Sequence, residues 1–338
     1  MIGKHRGVLT AVVAFISAAP AAAQNYSNLY VFGDSLVDSG NAQAARAATG
    51  GADPAPAALG YFEGRFSNGP NFADFLSQAI TNGPATASLA GGTNFSFGGA
   101  QAAEVVGDAS PSFAEQIGFF DASGRSFAAD SLVLVTLGGN DVRAELAKLG
   151  ANPAYTPSLS PAIAALTNGL TSLYARGARN FIVTGLPDVG QIPAVTSFDI
   201  DALERAGTQL SFGLNQAFGQ VVTGIDALQG ADAQFFDFFG YQRRIYANPT
   251  AFGLPADLNT TSACLTVAGA APACNGYVYF DPIHPTTQVH RVVADGLIAQ
   301  LDITAVPEPA AWAMMIMGVG MAGAGLRYRR RRTTLAYA

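Results

Sequence analysis

Short apolar runs alternate with longer amphipathic stretches through most of this chain. Asn28-Leu29-Tyr30-Val31-Phe32 is apolar and stops at Gly33, which predicts a buried strand. Asn94-Phe95-Ser96-Phe97, before Gly98-Gly99, predicts a second. Ser131-Leu132-Val133-Leu134-Val135-Thr136-Leu137 is β-branched and nearly continuous, the pattern of a strand covered on both faces. Residues 180–185 repeat that pattern, and 233–238 make a fifth candidate. Helical stretches fall between them at about 70–80, 159–177 and 201–229, and a last helix runs from Pro285 or Thr286 to about Ile303. Alternating strands and helices predict a three-layer α/β/α sandwich on a mainly parallel sheet of about five strands. Function in such sheets gathers beyond the carboxyl ends of the strands. Ser35, Gly99 and Asn140 each directly follow a predicted strand, and Ser35 is expected at the edge of the central one.

The two ends of the chain have a different character. Lys4 and Arg6 precede an apolar run from Val8 to Ala19, and Ala21-Ala22-Ala23 places small residues before Gln24. That order predicts a secretory signal peptide over residues 1–23, with a run too short to favour a spanning anchor. Near the other end, Val306-Pro307-Glu308-Pro309 leads into an uncharged stretch from Ala310 to Leu326 and then Arg327, Arg329, Arg330, Arg331 and Arg332. The 17 residues of that stretch, at ~1.5 Å each, span ~25 Å, just short of a ~30 Å hydrocarbon core. The arginines would stay cytoplasmic under the positive-inside rule. One reading is a plain C-terminal membrane anchor. The order Pro-Glu-Pro, short apolar span, arginine cluster also resembles the PEP-CTERM sorting signal of Gram-negative bacteria, over residues 306–332. That resemblance implies an exosortase as processing partner, transient inner-membrane anchoring through residues 310–326, removal of the tail, and delivery to the cell surface or extracellular matrix.

Residues 24–305 are enough for one large domain and show neither a linker nor an internal repeat. Within them stand 11 basic and 23 acidic residues, a net charge near −12. This balance argues against a nucleic-acid partner and offers no basic patch to anionic lipid. Cys264 and Cys274 are close in sequence, and in an oxidising compartment they would close a small loop as one disulfide; two free thiols are the alternative. With two cysteines, and two histidines outside the leader, a structural zinc site is not expected.

The candidate chemistry sits in three short segments. Phe32-Gly33-Asp34-Ser35-Leu36-Val37-Asp38-Ser39-Gly40-Asn41 supplies a serine, and Phe280-Asp281-Pro282-Ile283-His284-Pro285 supplies a base and an acid. Leu137-Gly138-Gly139-Asn140-Asp141 could add a polarising amide. A serine hydrolase needs a serine, a base to take its proton and an acid to orient that base. The absence of a Gly-x-Ser-x-Gly string argues against an α/β-hydrolase elbow.

The string Gly-Asp-Ser-x-x-Asp-x-Gly-Asn resembles the GDSL, or SGNH, hydrolase family. Further matches are Gly64-Arg65-Phe66-Ser67-Asn68-Gly69, Asn94 to Ala100, Gly138-Gly139-Asn140-Asp141 and Asp281-Pro282-Ile283-His284-Pro285. They span nearly all of residues 28–300, and the Gly-Arg-Phe-Ser-Asn-Gly string looks like the lipase and lecithinase branch. The resemblance implies a flavodoxin-like fold, no cofactor, and Ser35 as nucleophile. It implies His284 as general base and then acid, with Asp281 holding the imidazole. It also implies an oxyanion hole made of the Ser35 N–H, the Gly99 N–H and the Asn140 amide, with Gly98 as the alternative to Gly99. Against these roles stand plainer ones: a helix-start histidine at 284, and a helix cap at Asn140-Asp141. Of that pair, Asp141 is expected to cap the helix. Asp34 and His290 are read as structural, and Asp38 and Asn41 as braces of the nucleophile turn. The expected function is an exported serine esterase or lipase acting through an acyl-enzyme. The alternatives are a non-catalytic surface or matrix protein on the same scaffold, and a carbohydrate O-acetylesterase.

Overall fold

The computed structural model describes residues 26–267 and 273–303, with positions 317, 318 and 321. The expected signal peptide and apolar tail lie outside the described residues. Among those described, no helix is long and apolar enough to cross a membrane.

In chain order the elements are β1 (Asn28–Gly33), α1 (Asn41–Ala48), α2 (Phe72–Thr81), α3 (Phe113–Ala122), β2 (Ser131–Thr136), α4 (Gly139–Ala151), α5 (Ser160–Ala175), β3 (Asn180–Thr184), α6 (Pro193–Thr196), α7 (Asp201–Asp226), β4 (Asp232–Phe236), α8 (Phe238–Ala247), β5 (Asn259–Ala263), β6 (Tyr277–Tyr279) and α9 (Thr287–Gln300). β1 to β4 form one parallel sheet in sequential order, with Gly33, Thr136, Thr184 and Phe236 in register at its carboxyl edge. β2 is buried at every position, as its continuous apolar run requires. Along β1, side chains alternate between faces. Phe32 packs its ring against Phe95, Phe113 and Phe120 on one of them. α2 packs with α9, while α5 packs with α3 and α7, which completes the three-layer sandwich.

Two expectations are corrected. The 94–97 segment is no regular strand, though it runs along β1 through Val31 N–H to Thr93 O, Phe95 N–H to Val31 O and Phe97 N–H to Gly33 O. β1 is therefore the outer strand of the four, not the central one. The sheet grows in one direction only, because each crossover sets the next strand on the far side of the last. The chain leaves β1 through Gly33, where a Cβ would meet Val37 Cγ2 at 2.5 Å and Thr136 O at 2.6 Å. Only glycine allows so close a turn at the strand end.

β5 and β6 form a small parallel pair beside the sandwich, the first of them running into Cys264 and the second into Phe280. Cys264 and Cys274 are joined by a disulfide, with Cα atoms 5.7 Å apart. The bond packs with buried Phe280, immediately before Asp281. The closed loop is short, so replacing both cysteines with alanine should cost about 2–3 kcal/mol of unfolding free energy. Denaturant titration of wild type and double variant measures this. Unreduced peptide mapping should recover the two cysteines as one linked pair.

Candidate active site

The site begins with the turn after β1. Val37 and Asp38 donate their N–H groups to Asp34 O, and Leu36 N–H donates to Asp34 Oδ1, so residues 34–38 form a tight turn. Asp38 then collects four backbone donors: Gly40 and Asn41 on Oδ1, Ala42 and Gly98 on Oδ2. Asn41 Nδ2 donates to Asn94 O and Ser96 O, while Asn94 Nδ2 donates to Val37 O and Ser39 Oγ. These bonds stitch the 34–41 segment to the 94–99 segment. α3 adds Gln116, whose side-chain amide bonds the Gly33 N–H and C=O together.

Asp281 and His284 come from the loop between β6 and α9. Asp281 Oδ1 accepts the N–H groups of Ile283 and His284, each at 2.8 Å, so the carboxylate caps its own turn. His284 Nδ1 lies 2.7 Å from Asp281 Oδ2, and Nε2 lies 2.8 Å from Ser35 Oγ. All three side chains are buried. An imidazole held between a hydroxyl and a carboxylate can take the hydroxyl proton while the carboxylate stabilises the imidazolium. Burial alone would raise Asp281, but the charge and hydrogen bonds of His284, with the Ile283 N–H, hold it down at about 2.

The expected oxyanion donors lie on three segments: the turn after β1, the 94–99 segment and the start of α4. Gly98 N–H is spent on Asp38 Oδ2. Among the described residues, neither the Ser35 nor the Gly99 N–H donates to a protein acceptor. Gly99 has φ +87°, a conformation that favours glycine, and a Cβ there would meet Ser110 Oγ at 2.6 Å. Asn140, in the first turn of α4, donates from Nδ2 to Ala100 O, leaving the second proton of that amide free.

Sequence reasoning missed several contributors. Arg143, one turn beyond Asn140, donates from Nη1 to Asn140 Oδ1 at 3.0 Å. A guanidinium can only donate, so it fixes which end of the amide faces Ala100 and the site. The i, i+3 spacing was visible and a helix was expected to start at this point, but nothing marked Arg143 as the partner of Asn140. Burial lowers Arg143, with the Asp281 and Asp34 charges opposing. Phe66 lays its ring 5.1 Å from that of His284, and Tyr61 donates from Oη to Asp281 Oδ2 at 2.8 Å. Both come from a loop more than 200 residues away in sequence; Phe66 belongs to the Gly64–Gly69 string already singled out, though not for this contact, and Tyr61 carries no local signal. Asp141 does not cap its helix as expected. It sits within the first turn, after Gly138 at the N-cap position, and reaches across to the Ala102 and Ala103 N–H groups. His290 is buried against Phe72, its Nδ1 without a partner, and burial followed by the His284 charge pulls it down to about 3.

A family model described as GDSL-like lipase/acylhydrolase matches residues 29–297, and one described as a PEP-CTERM protein-sorting motif matches residues 305–331. A GDSL esterase/lipase of Arabidopsis thaliana is 28% identical over 330 residues, covering 80% of this chain and 85% of the relative. A second from the same plant, GDSL esterase/lipase LTL1, is 27% identical over 322 residues and covers 80% and 86%. Among solved structures, an acetylxylan esterase from Geobacillus stearothermophilus aligns over 83% of this chain and 97% of its own at 14% identity. Its TM-score of 0.44 is too low to carry an argument.

Asp34 supplies a test of the electrostatics. Burial pushes its carboxyl up to about 7, despite the Leu36 N–H it accepts. A carboxyl raised in the folded state contributes stability below its unfolded value, and that contribution is lost as pH rises through the folded one. Asp34→Asn keeps the acceptor for Leu36 and removes the charge. Relative to wild type, it should gain stability as pH rises from about 4 to about 7, by up to a few kcal/mol. Paired denaturant titrations at pH 4.5, 6 and 8 check this; a difference independent of pH would contradict it.

Proposed function

Because the chain belongs to the GDSL-like lipase/acylhydrolase family, we propose that Ser35, His284 and Asp281 hydrolyse carboxylic esters through an acyl-enzyme in an exported protein. The observation that carries this reading is the unbroken relay from Ser35 Oγ through His284 to Asp281, with contacts of 2.8 and 2.7 Å. The chain is an ester-bond hydrolase of the serine type. In the proposed cycle Ser35 Oγ attacks the ester carbonyl as His284 Nε2 takes its proton. The imidazolium returns that proton to the leaving alkoxide, the Ser35 acyl ester remains, and water activated by His284 releases the acid. The Ser35 N–H, the Gly99 N–H and the second Asn140 amide proton take the developing oxyanion. Their lack of other acceptors supports this assignment, and the engagement of Gly98 N–H by Asp38 favours Gly99 over Gly98. Losing one such donor costs on the order of 3–4 kcal/mol in the transition state.

We assign residues 1–23 to a signal peptide and 24–305 to the hydrolase domain. The tail carries a PEP-CTERM protein-sorting motif, which implies processing by an exosortase. On that basis the precursor is held transiently at the inner membrane through residues 310–326. The mature enzyme reaches the cell surface or matrix.

Ser35→Ala should abolish turnover of p-nitrophenyl esters and labelling by a fluorophosphonate probe without unfolding the protein. Asp281→Asn should lose several orders of magnitude in kcat, because the imidazole loses the partner that sets its tautomer. Retention of more than about 1% of activity by Ser35→Ala would refute the nucleophile assignment. A panel from acetate to palmitate, run beside an acetylated polysaccharide, separates lipid from carbohydrate esters. A wild type that binds such a polysaccharide but neither turns over nor labels would support the non-catalytic alternative.

Deleting residues 306–338 should leave turnover unchanged, since every proposed site residue lies upstream. Pulse-chase fractionation of the full chain should show a membrane-bound precursor giving way to a shorter, released product. A full-length product that stays in the membrane would favour the plain anchor.

A further inference from the structure

The Asp281 carboxylate is gripped from two directions. Its own turn pins Oδ1 through the N–H groups of Ile283 and His284. The other oxygen, which faces His284 Nδ1, also accepts the Tyr61 hydroxyl at 2.8 Å. Tyr61 is half-buried, and its ring meets Phe280 edge-on, with centroids 5.0 Å apart and planes at 84°. Phe280 is buried against the disulfide and is tied through its carbonyl to Leu265 N–H at 2.9 Å. Burial, and then the Asp281 charge, pushes the Tyr61 hydroxyl up well beyond its ordinary value, so it remains a donor throughout the working pH range.

The same loop touches the imidazole and the residue after it. Phe66 packs on the His284 ring, and Ser67 Oγ donates to Pro285 O at 2.9 Å. Arg65 anchors the loop through Asp74, with Nε at 3.2 Å from Oδ2 and Nη2 at 2.8 Å from Oδ1, and through Ala85 O. Residues 61–67 thus form one surface against which Asp281 and His284 are seated.

We propose that Tyr61 is a positioning residue for the acid and base: its hydroxyl holds Asp281 Oδ2 where His284 can keep Nε2 on Ser35. The inference rests on the reading of those three residues as the hydrolytic set. As the serine proton moves to Nε2, the imidazolium forms and its Nδ1–H bond to Oδ2 strengthens. Placement of Oδ2 therefore matters more in the transition state than with substrate merely bound, and the effect belongs in kcat rather than KM.

Tyr61→Phe removes the hydroxyl and keeps the ring on Phe280. With p-nitrophenyl butyrate as substrate, kcat should fall roughly ten-fold, the scale of a hydrogen bond to a charged group. KM should stay within about two-fold. Without the hydroxyl, Oδ2 is no longer held against Nδ1, so the imidazolium is less well stabilised. The acid limb of the kcat/KM profile should then move to lower pH. The titratable and charged groups that reach this pair from other elements, Asp34, Arg143 and His290, are the same in both proteins. An active wild type with an unchanged kcat and acid limb in Tyr61→Phe overturns the inference alone. So does a loss that merely follows the folded fraction with an unmoved pH profile. A wild type inert toward esters and fluorophosphonate overturns the hydrolase reading, and this inference with it.

Discussion

One buried carboxylate determines whether the site can exist. A parallel strand that ends in a sharp turn leaves backbone donors pointing into the protein, and each one left unpaired there is costly. Asp38 accepts four of them, three from its own segment and one from Gly98. That fourth bond joins the segment carrying Ser35 to the segment carrying Gly99. It also consumes the Gly98 N–H and leaves its neighbour's free. Burial pushes Asp38 up to about 6 even with all four donors, so this junction is held against a real electrostatic cost. The asparagines that continue it, Asn41 and Asn94, use their side chains as backbone substitutes, each bridging to the other's segment.

Three buried aspartates within this small region titrate in different directions, and their surroundings explain why. Asp34 and Asp38 lie among backbone groups that offer dipoles but no full positive charge in contact, so desolvation prevails and both rise. Asp281 is as deeply buried, yet it touches an imidazole that can carry charge, and it falls. Acidity in this region follows from the partner rather than from depth. A base that must become an imidazolium is thus paired with the one carboxylate of the three that is held below its ordinary range. Asp34, next to the serine in sequence, contributes its oxygen to the turn.

Much of this was legible in the chain. The parallel strands appeared where continuous apolar runs stood, because a strand covered on both faces has no polar side to obscure it. The long helices α5 and α7 were found within a few residues. The helices α1, α3 and α8 were not recognised, since each is only 8 to 10 residues long and its apolar pattern has few turns in which to repeat, while α4 was anticipated only through its expected cap at Asp141. The 94–97 segment read as a strand because its apolar pattern is that of one. It bonds along β1 and then turns away at Gly98-Gly99, so only part of a ladder forms. His284 stood out because only two histidines lie outside the leader, and Ser35 and Asp281 because of the short strings that carry them. Arg143 and Tyr61 did not, because nothing in their local sequence distinguishes an arginine or tyrosine that orients another side chain from one that merely covers the surface.

The spacing of Asp281 and His284 has a consequence beyond bringing acid and base together. At three residues apart, the acid can accept the N–H of the residue that carries the base, so the backbone of His284 and the ring of His284 are tied to the two oxygens of one carboxylate. Ring and main chain are then held as a single rigid unit, with Pro282 and Pro285 limiting the backbone on either side. What these local bonds do not fix is the tilt of the loop as a whole. The contacts that oppose tilt come from elsewhere: Phe66 against the ring, Ser67 on Pro285 O, and Ala194 N–H on Pro282 O at 2.8 Å. The local turn sets how acid and base face each other. The distant loops set where the pair faces, and it faces a serine 249 residues away in sequence.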